Sequence, residues 1–270
     1  MPRVMFLVSF IAVLVLGPLA VGRPSGAAAQ AATPTGSPAA GEPPEILVEA
    51  IIPAESIPPA ESRLFILGLV TMEPERHAVS PAEVFDCCPG PQFEHVLAGE
   101  LSLRVEGPLQ IVHAGAEGPP GPVEEVAPGM EVVLRPGDTA IYQTQLTTEY
   151  NNRGTEPVRF VQSALFPEFP PDAPAGSSVG MTTDTWDHAY LVPSPPPGPL
   201  VATLQRATLP PDGVFSAPPA GALQLVIAAP GSPALAKTSA GAVRNTGQEP
   251  AVVYALTLRP ANAGAATPVP

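Results

Sequence analysis

Short apolar runs, each broken by glycine or proline, are the first pattern to emerge along this chain. Between Gln92 and Pro167, the runs Val96 to Gly107 and Met130 to Asp138 alternate, or nearly alternate, apolar and polar side chains. Each closes at a Gly or Pro-Gly turn. A period of two bounded by turn residues predicts short antiparallel strands with one buried face. Asn152-Arg153-Gly154-Thr155-Glu156-Pro157 reads as a turn and Val158 to Leu165 as a further strand. Upstream, Ile46-Leu47-Val48 predicts a short strand. Arg63 to Met72 is apolar on both faces, as expected of a strand buried between sheets, and Pro74 ends it. Downstream, Val201 to Leu209 alternates before the turn Pro210-Pro211-Asp212-Gly213, and Leu223 to Ile227 and Ala251 to Leu258 predict two more strands. Phe166 to Gly180 reads as a loop, Thr182 to Leu191 as a brief strand or turn, and Pro193 to Pro199 as a polyproline spacer.

Composition sharpens this to an all-β expectation. With 40 prolines and 24 glycines among 270 residues, long helices are interrupted before they can propagate. Lys+Arg 12 against Asp+Glu 25 gives a net charge of -13, and Lys237 is the single lysine. No basic patch is available to neutralise phosphates, which argues against a nucleic-acid partner. An acidic membrane surface would likewise repel the chain.

The N-terminus has the pattern of a targeting segment. Arg3 precedes the apolar run Val4 to Val21, and Ala27-Ala28-Ala29 and Ala29-Gln30-Ala31 offer small-residue cleavage sites. The competing reading is an uncleaved anchor, which would be the chain's one contact with a membrane. Either way the body is expected to be secreted or extracytoplasmic. The layout expected is a signal peptide at 1–31, a linker at 32–44, a β-barrel at 45–170, a Pro-rich linker at 171–200, a partial β-unit at 201–260 and a tail at 261–270.

Two segments repeat. Asn152 to Pro157 and Asn245 to Pro250 share Asn-x-Gly-x-Glu-Pro, and Pro167 and Pro260 close the strands that follow at the same spacing. A fainter match pairs Val70-Thr71-Met72-Glu73-Pro74 with Ala207-Thr208-Leu209-Pro210-Pro211. The two offsets differ by about 44 residues, so the second copy lacks that much from its middle.

At these residues the chain resembles the cupins, small jelly-roll β-barrels that often occur in tandem. Gly99 matches the closing glycine of the first cupin motif, and Gly137 and Asn152 stand at the spacing of the second. The resemblance implies an all-β, cupin-like barrel followed by a second, truncated cupin-like unit. It also implies where metal ligands would fall. The glutamate position is Gln92, and the two histidines of the first motif fall at Asp86 and Cys88, or at Phe85 and Cys87. In the second motif Gln143 and Gln145 take the places of proline and glycine, and Thr148 that of the third histidine. All four ligand positions are changed, so no metal cofactor is expected. By analogy with cupins that pair through exposed strands, a homodimer is expected.

The remaining candidates are weighed on their own chemistry. If Gln92 points into the barrel, strand alternation sends Glu94 inward and His95 outward. Gln92, Glu94, Gln143, Gln145, Thr148 and Tyr150 could then line a neutral polar pocket for a small polar ligand such as a sugar. The bland alternative places Glu94 at a wet barrel mouth. Cys87 and Cys88, the only cysteines, are expected to make a rigid turn, bridged by a strained vicinal disulfide or not; free thiols, a bond to another chain, or a soft-metal or redox site are the other readings. A fallback metal site would draw on Asp86, Cys87, Cys88, Glu94 and His95. Trp186 is expected to pack, and His77, His113 and His188 to lie on the surface. The expected function is an exported, metal-free binding or structural module, with a metal-dependent oxygenase or isomerase as the alternative. No nucleophile elbow, phosphate loop or zinc-protease His pair points to an enzyme.

Overall fold

The computed structural model describes residues 42–57, 63–80, 90–115, 121–143, 146–167, 181–191, 198–238 and 241–261. Among them, the secondary structure is all β apart from one 3-10 turn at Ala54–Ser56. The first strands are β1 (Glu45–Ile52), β2 (Arg63–Met72), β3 (Arg76–Ser80), β4 (Pro91–Ala98), β5 (Leu101–Val105) and β6 (Leu109–Val112). The next six are β7 (Val123–Val126), β8 (Glu131–Leu134), β9 (Thr139–Gln143), β10 (Thr148–Asn152), β11 (Val158–Pro167) and β12 (Met181–Leu191). Last come β13 (Leu200–Leu209), β14 (Val214–Phe215), β15 (Leu223–Ala228), β16 (Leu235–Lys237), β17 (Val243–Asn245) and β18 (Ala251–Pro260).

All pairings are antiparallel, and those of the first barrel define a jelly roll of the cupin type. One sheet runs β12-β2-β11-β4-β9-β6-β7 and the other β3-β10-β5-β8. Early and late strands alternate within each sheet, which is what folding a long hairpin over on itself produces. Val70, Met72, Val96, Tyr142 and Phe160 from the first sheet meet Leu101, Leu103, Leu134 and Tyr150 from the second in one buried cluster. The hairpin β6-β7 extends the larger sheet beyond β9.

The second barrel repeats this pairing with fewer strands. Its sheets are β1-β13-β18-β15 and β14-β17-β16. β13 pairs with β18 and β18 with β15, as β2 pairs with β11 and β11 with β4. β14 pairs with β17 and β17 with β16, as β3 pairs with β10 and β10 with β5. Among the described residues, strands equivalent to β6 through β9 do not occur between β16 and β17.

The turns of the two barrels are built alike. Asn152 Nδ2 donates to the carbonyls of Met72 (3.0 Å) and Glu156 (2.9 Å), and its Oδ1 accepts from the Gly154 N–H (3.0 Å). Asn245 donates to the Leu209, Pro210 and Glu249 carbonyls and accepts from the Gly247 N–H. Gly99 is required on two counts. Its φ is +77°, and a Cβ there would lie 2.9 Å from the Pro157 carbonyl oxygen.

Strand alternation gives the larger sheet two buried faces. Phe65, Leu67, Leu69, Phe93, Val161 and Leu165 point away from the first barrel's interior and pack with Val48, Ala202, Leu204, Leu225, Ile227 and Leu256. A single apolar layer therefore joins the barrels, and residues 38–270 form one compact unit. Two strands lie where the sequence layout does not put them. β1, expected in the first barrel, pairs with β13 of the second from Glu45↔Arg206 to Ile52↔Leu200. β12, expected inside a Pro-rich linker, is an eleven-residue strand paired with β2 along its length. Period-two patterning specifies a strand's faces but not its hydrogen-bonded neighbour, which is set by long-range packing. The Asp187 carboxylate on β12 accepts from the Val226 N–H (3.2 Å) on β15, where the missing strand would otherwise pair. Residues 1–41, and with them the expected signal segment, lie outside the described residues.

Candidate functional site

The centre of the first barrel is polar. β4 directs Gln92, Glu94 and Val96 inward and Phe93, His95 and Leu97 outward, as the alternation of apolar contacts on its two faces shows. Glu94 is fully buried, so it does not sit at a wet mouth. Its Oε1 accepts hydrogen bonds from Tyr142 Oη at 2.6 Å, Tyr150 Oη at 2.8 Å, Gln92 Nε2 at 2.8 Å and Gln162 Nε2 at 3.2 Å. The two phenol oxygens are 2.7 Å apart, and Gln92 Nε2 lies 2.9 Å from one and 3.1 Å from the other. Four strands from both sheets therefore converge on one carboxylate oxygen. Tyr150 is held in place from behind, its ring stacked on Phe160 with centroids 6.4 Å apart.

Glu94 Oε2 has no hydrogen-bond partner in the protein. Burial pushes the Glu94 pKa up, and the bonds from Tyr142, Tyr150, Gln92 and Gln162 act against that rise. Burial, then the nearby Glu94 charge, holds Tyr142 and Tyr150 well above the usual phenol range. The phenols accordingly act as neutral donors rather than as phenolates.

His95 occupies the opposite face of the same strand. Its ring nitrogen Nδ1 is 2.8 Å from Thr139 Oγ1, and the ring is buried in the layer between the barrels. Burial lowers its pKa to about 4, with the Asp138 charge opposing. The fallback metal set is thereby divided: one sheet separates Glu94 from His95, because consecutive strand residues face opposite ways. Asp86, Cys87 and Cys88 lie outside the described residues, as does Gln145.

The expected pocket is brought together only in part. Gln92, Glu94 and Tyr150 meet. Thr148 shares the inward face of Tyr150, but its hydroxyl donates to the Leu146 carbonyl at 3.1 Å. Gln143 neighbours inward Tyr142 and so faces the other way, with its Oε1 buried and unpaired. Tyr142 and Gln162 join the cluster without standing among the residues that the motif spacing singles out. Each carried a signal: Gln162 interrupts the apolar run of β11 on the face of Phe160, and Tyr142 alternates with Ala140 after the Gly137 turn. Of the surface histidines, His77 is exposed and His113 bonds Glu124 (2.9 Å) and Asp138 (3.3 Å). The side chains of Trp186 and His188 lie outside the described residues.

A transition ion of the cupin kind requires several imidazole or carboxylate donors aimed at one point. The residues converging on Glu94 do not fit one. They are two carboxamides and two neutral phenols, and the single carboxylate has one oxygen already surrounded by donors. Among the described residues, no cluster of three or more His, Cys, Asp or Glu side chains has metal-binding geometry.

No protein-family model and no curated protein matches the sequence. Among solved structures, the chain is similar to YhaK from Escherichia coli, at 12% identity over 75% of this chain and 88% of that one, with a TM-score of 0.33. It is also similar to the oxalate decarboxylase formate complex of Lactobacillus farciminis, at 8% identity over 78% and 81% of the two chains, TM-score 0.28. Vicilin from Corylus avellana is similar at 11% identity over 72% and 76%, TM-score 0.22. Likeness this low carries no argument about activity, and the fold rests on the strand pairing.

Proposed function

We propose that this chain is an exported jelly-roll protein that holds a small polar molecule, or serves as a structural module, without a metal ion. The observation that supports the reading is the Glu94 cluster. The place where a cupin would hold its ion is filled by carboxamides and phenols bonded to a single buried carboxylate. Such a centre satisfies itself with internal hydrogen bonds and presents no set of anionic or imidazole donors. The export part of the reading rests on the N-terminal pattern of Arg3, Val4 to Val21 and the alanine cleavage sites. On the same reading the body is organised as barrels at 45–170 and 201–260, with β1 lent to the second.

Metal analysis of the purified, unchelated protein tests the central claim. The expected result is far less than one transition ion per chain; one tightly held ion per chain overturns the reading. The metal-dependent alternative has one observation in its favour, the unpaired Glu94 Oε2. On that alternative, Glu94→Gln abolishes ion uptake.

A further inference from the structure

The second barrel has an open interior. Among the described residues, equivalents of β8 and β9, which complete the two sheets of the first barrel, do not occur between β16 and β17. The interior there opens into a cleft of about 710 Å³, within the roughly 300–1,000 Å³ typical of small-molecule sites. Thr203, Gln205, Gln224, Thr257 and Arg259 form its floor. Ile46 and Val214, 42% and 47% exposed, stand on its lining as apolar surface.

Register connects this floor to the Glu94 cluster. Ala164 pairs with Gln92 in the first barrel, and Thr257 pairs with Gln224 in the second. Ala164 and Thr257 lie equally far beyond their turn asparagines, Asn152 and Asn245, so Gln224 is the counterpart of Gln92. Every partner of that glutamine has changed. The counterpart of Glu94 is Val226, that of Tyr150 is Val243 and that of Gln162 is Ala255, while among the described residues the strand carrying Tyr142 has no counterpart. The first barrel fills its centre with its own polar side chains; the second keeps the glutamine but sets smaller apolar residues, buried with Phe215, where the glutamine's polar partners stood. Gln224 Nε2 donates to Thr257 Oγ1 at 3.2 Å, and Gln224 Oε1 is buried without a partner. A buried acceptor left unpaired beside an open cleft has an unmet hydrogen bond that a ligand donor would satisfy.

We propose that this cleft binds a neutral polyhydroxylated molecule, a sugar of one or two rings, with a ligand hydroxyl donating to Gln224 Oε1. The class follows from the lining. Arg259 lies 3.7 Å from the Glu49 carboxylate, which also accepts from Thr203 Oγ1 at 3.1 Å, and Glu42 and Asp212 add carboxylates to the lining. A net anion would meet more carboxylates than cations in this lining and would approach a chain of net charge -13. Hydroxyls both donate and accept, matching the amides of Gln205 and Gln224, while a sugar ring's C–H face suits Ile46 and Val214.

This proposal rests on the small-ligand reading above but places the ligand away from Glu94. Saturation-transfer NMR, followed by calorimetry, on the whole mature chain with a panel of neutral mono- and disaccharides tests it, with the matching uronic acids as controls. Neutral members are expected to bind. Gln224→Leu should weaken binding about tenfold, as expected for losing one buried hydrogen bond. Val214→Trp, which fills the cleft from its lining and leaves the core alone, should weaken it too, and Glu94→Gln should leave it unchanged. Absence of binding by any neutral sugar, binding of the uronic acids alone, or indifference to both cleft variants overturns the proposal. Sugar binding lost in Glu94→Gln but kept in Gln224→Leu overturns the location while sparing the small-ligand reading; a stoichiometric metal ion in the same sample overturns that reading instead.

Discussion

Glu94 and His95 are consecutive, point to opposite faces of β4, and are each buried where charge is costly. For Glu94, burial raises the pKa above its ordinary value of 4.5, so the folded state holds the proton more tightly than the unfolded chain does. Its contribution to stability is fully present below about 4.5 and is lost as pH rises through the folded value. His95 has the opposite sign. Burial lowers it from 6.5 to about 4, so its contribution is present above 6.5 and is lost as pH falls through about 4. That difference corresponds to roughly 3 kcal/mol between the two limits. Urea unfolding across this range checks both. Glu94→Gln should remove a loss of stability on the alkaline side, and His95→Gln should flatten the acid side between 6.5 and 4. A constant offset from wild type at every pH, in either variant, would contradict the assignment.

At the scale of the element, the two Asn-x-Gly-x-Glu-Pro turns fix where β10 and β17 end and β11 and β18 begin. Each asparagine ties a distant strand end to its own turn: Asn152 reaches the Met72 carbonyl, and Asn245 the Leu209 carbonyl. Replacing either by alanine removes at least three hydrogen bonds to the backbone at once, one of them buried. Asn152→Ala and Asn245→Ala should each cost about 2–4 kcal/mol by denaturant unfolding, with similar losses for the pair. A loss below about 1 kcal/mol at either site would show that the turn holds without its side chain. The elements hardest to foresee from sequence were the short ones, among them β3, β14, β16 and β17. They carry too few residues for a period of two to stand out, and they persist because longer strands pair with or pack on them.

For the whole molecule, the decisive feature is the apolar layer shared by the barrels. Leu204 and Leu256 from the second barrel lie in one cluster with Leu67 and Val161 from the first. Neither barrel can expose that face without loss. The protein is therefore expected to unfold in a single calorimetric transition, and Leu204→Ala should lower the whole transition by about 2–5 kcal/mol rather than split it. A fragment of residues 198–261 lacks β1 and the covering sheet, and should lack cooperative unfolding. Two resolved transitions, or a stably folded fragment, would refute this.

The sequence by itself determined the all-β class, the faces of the longer strands, and the turn glycines and asparagines. These follow from local periodicity and from residue types that φ or a missing Cβ demands, so neighbouring residues suffice to reveal them. Only the tertiary structure decided that β1 crosses to the second barrel, that β12 joins the first, and that Tyr142 and Gln162 complete the ring of donors on Glu94. Those partners lie 48 and 68 positions away, and which strands become neighbours depends on how two sheets share one apolar layer, a property that no single segment carries.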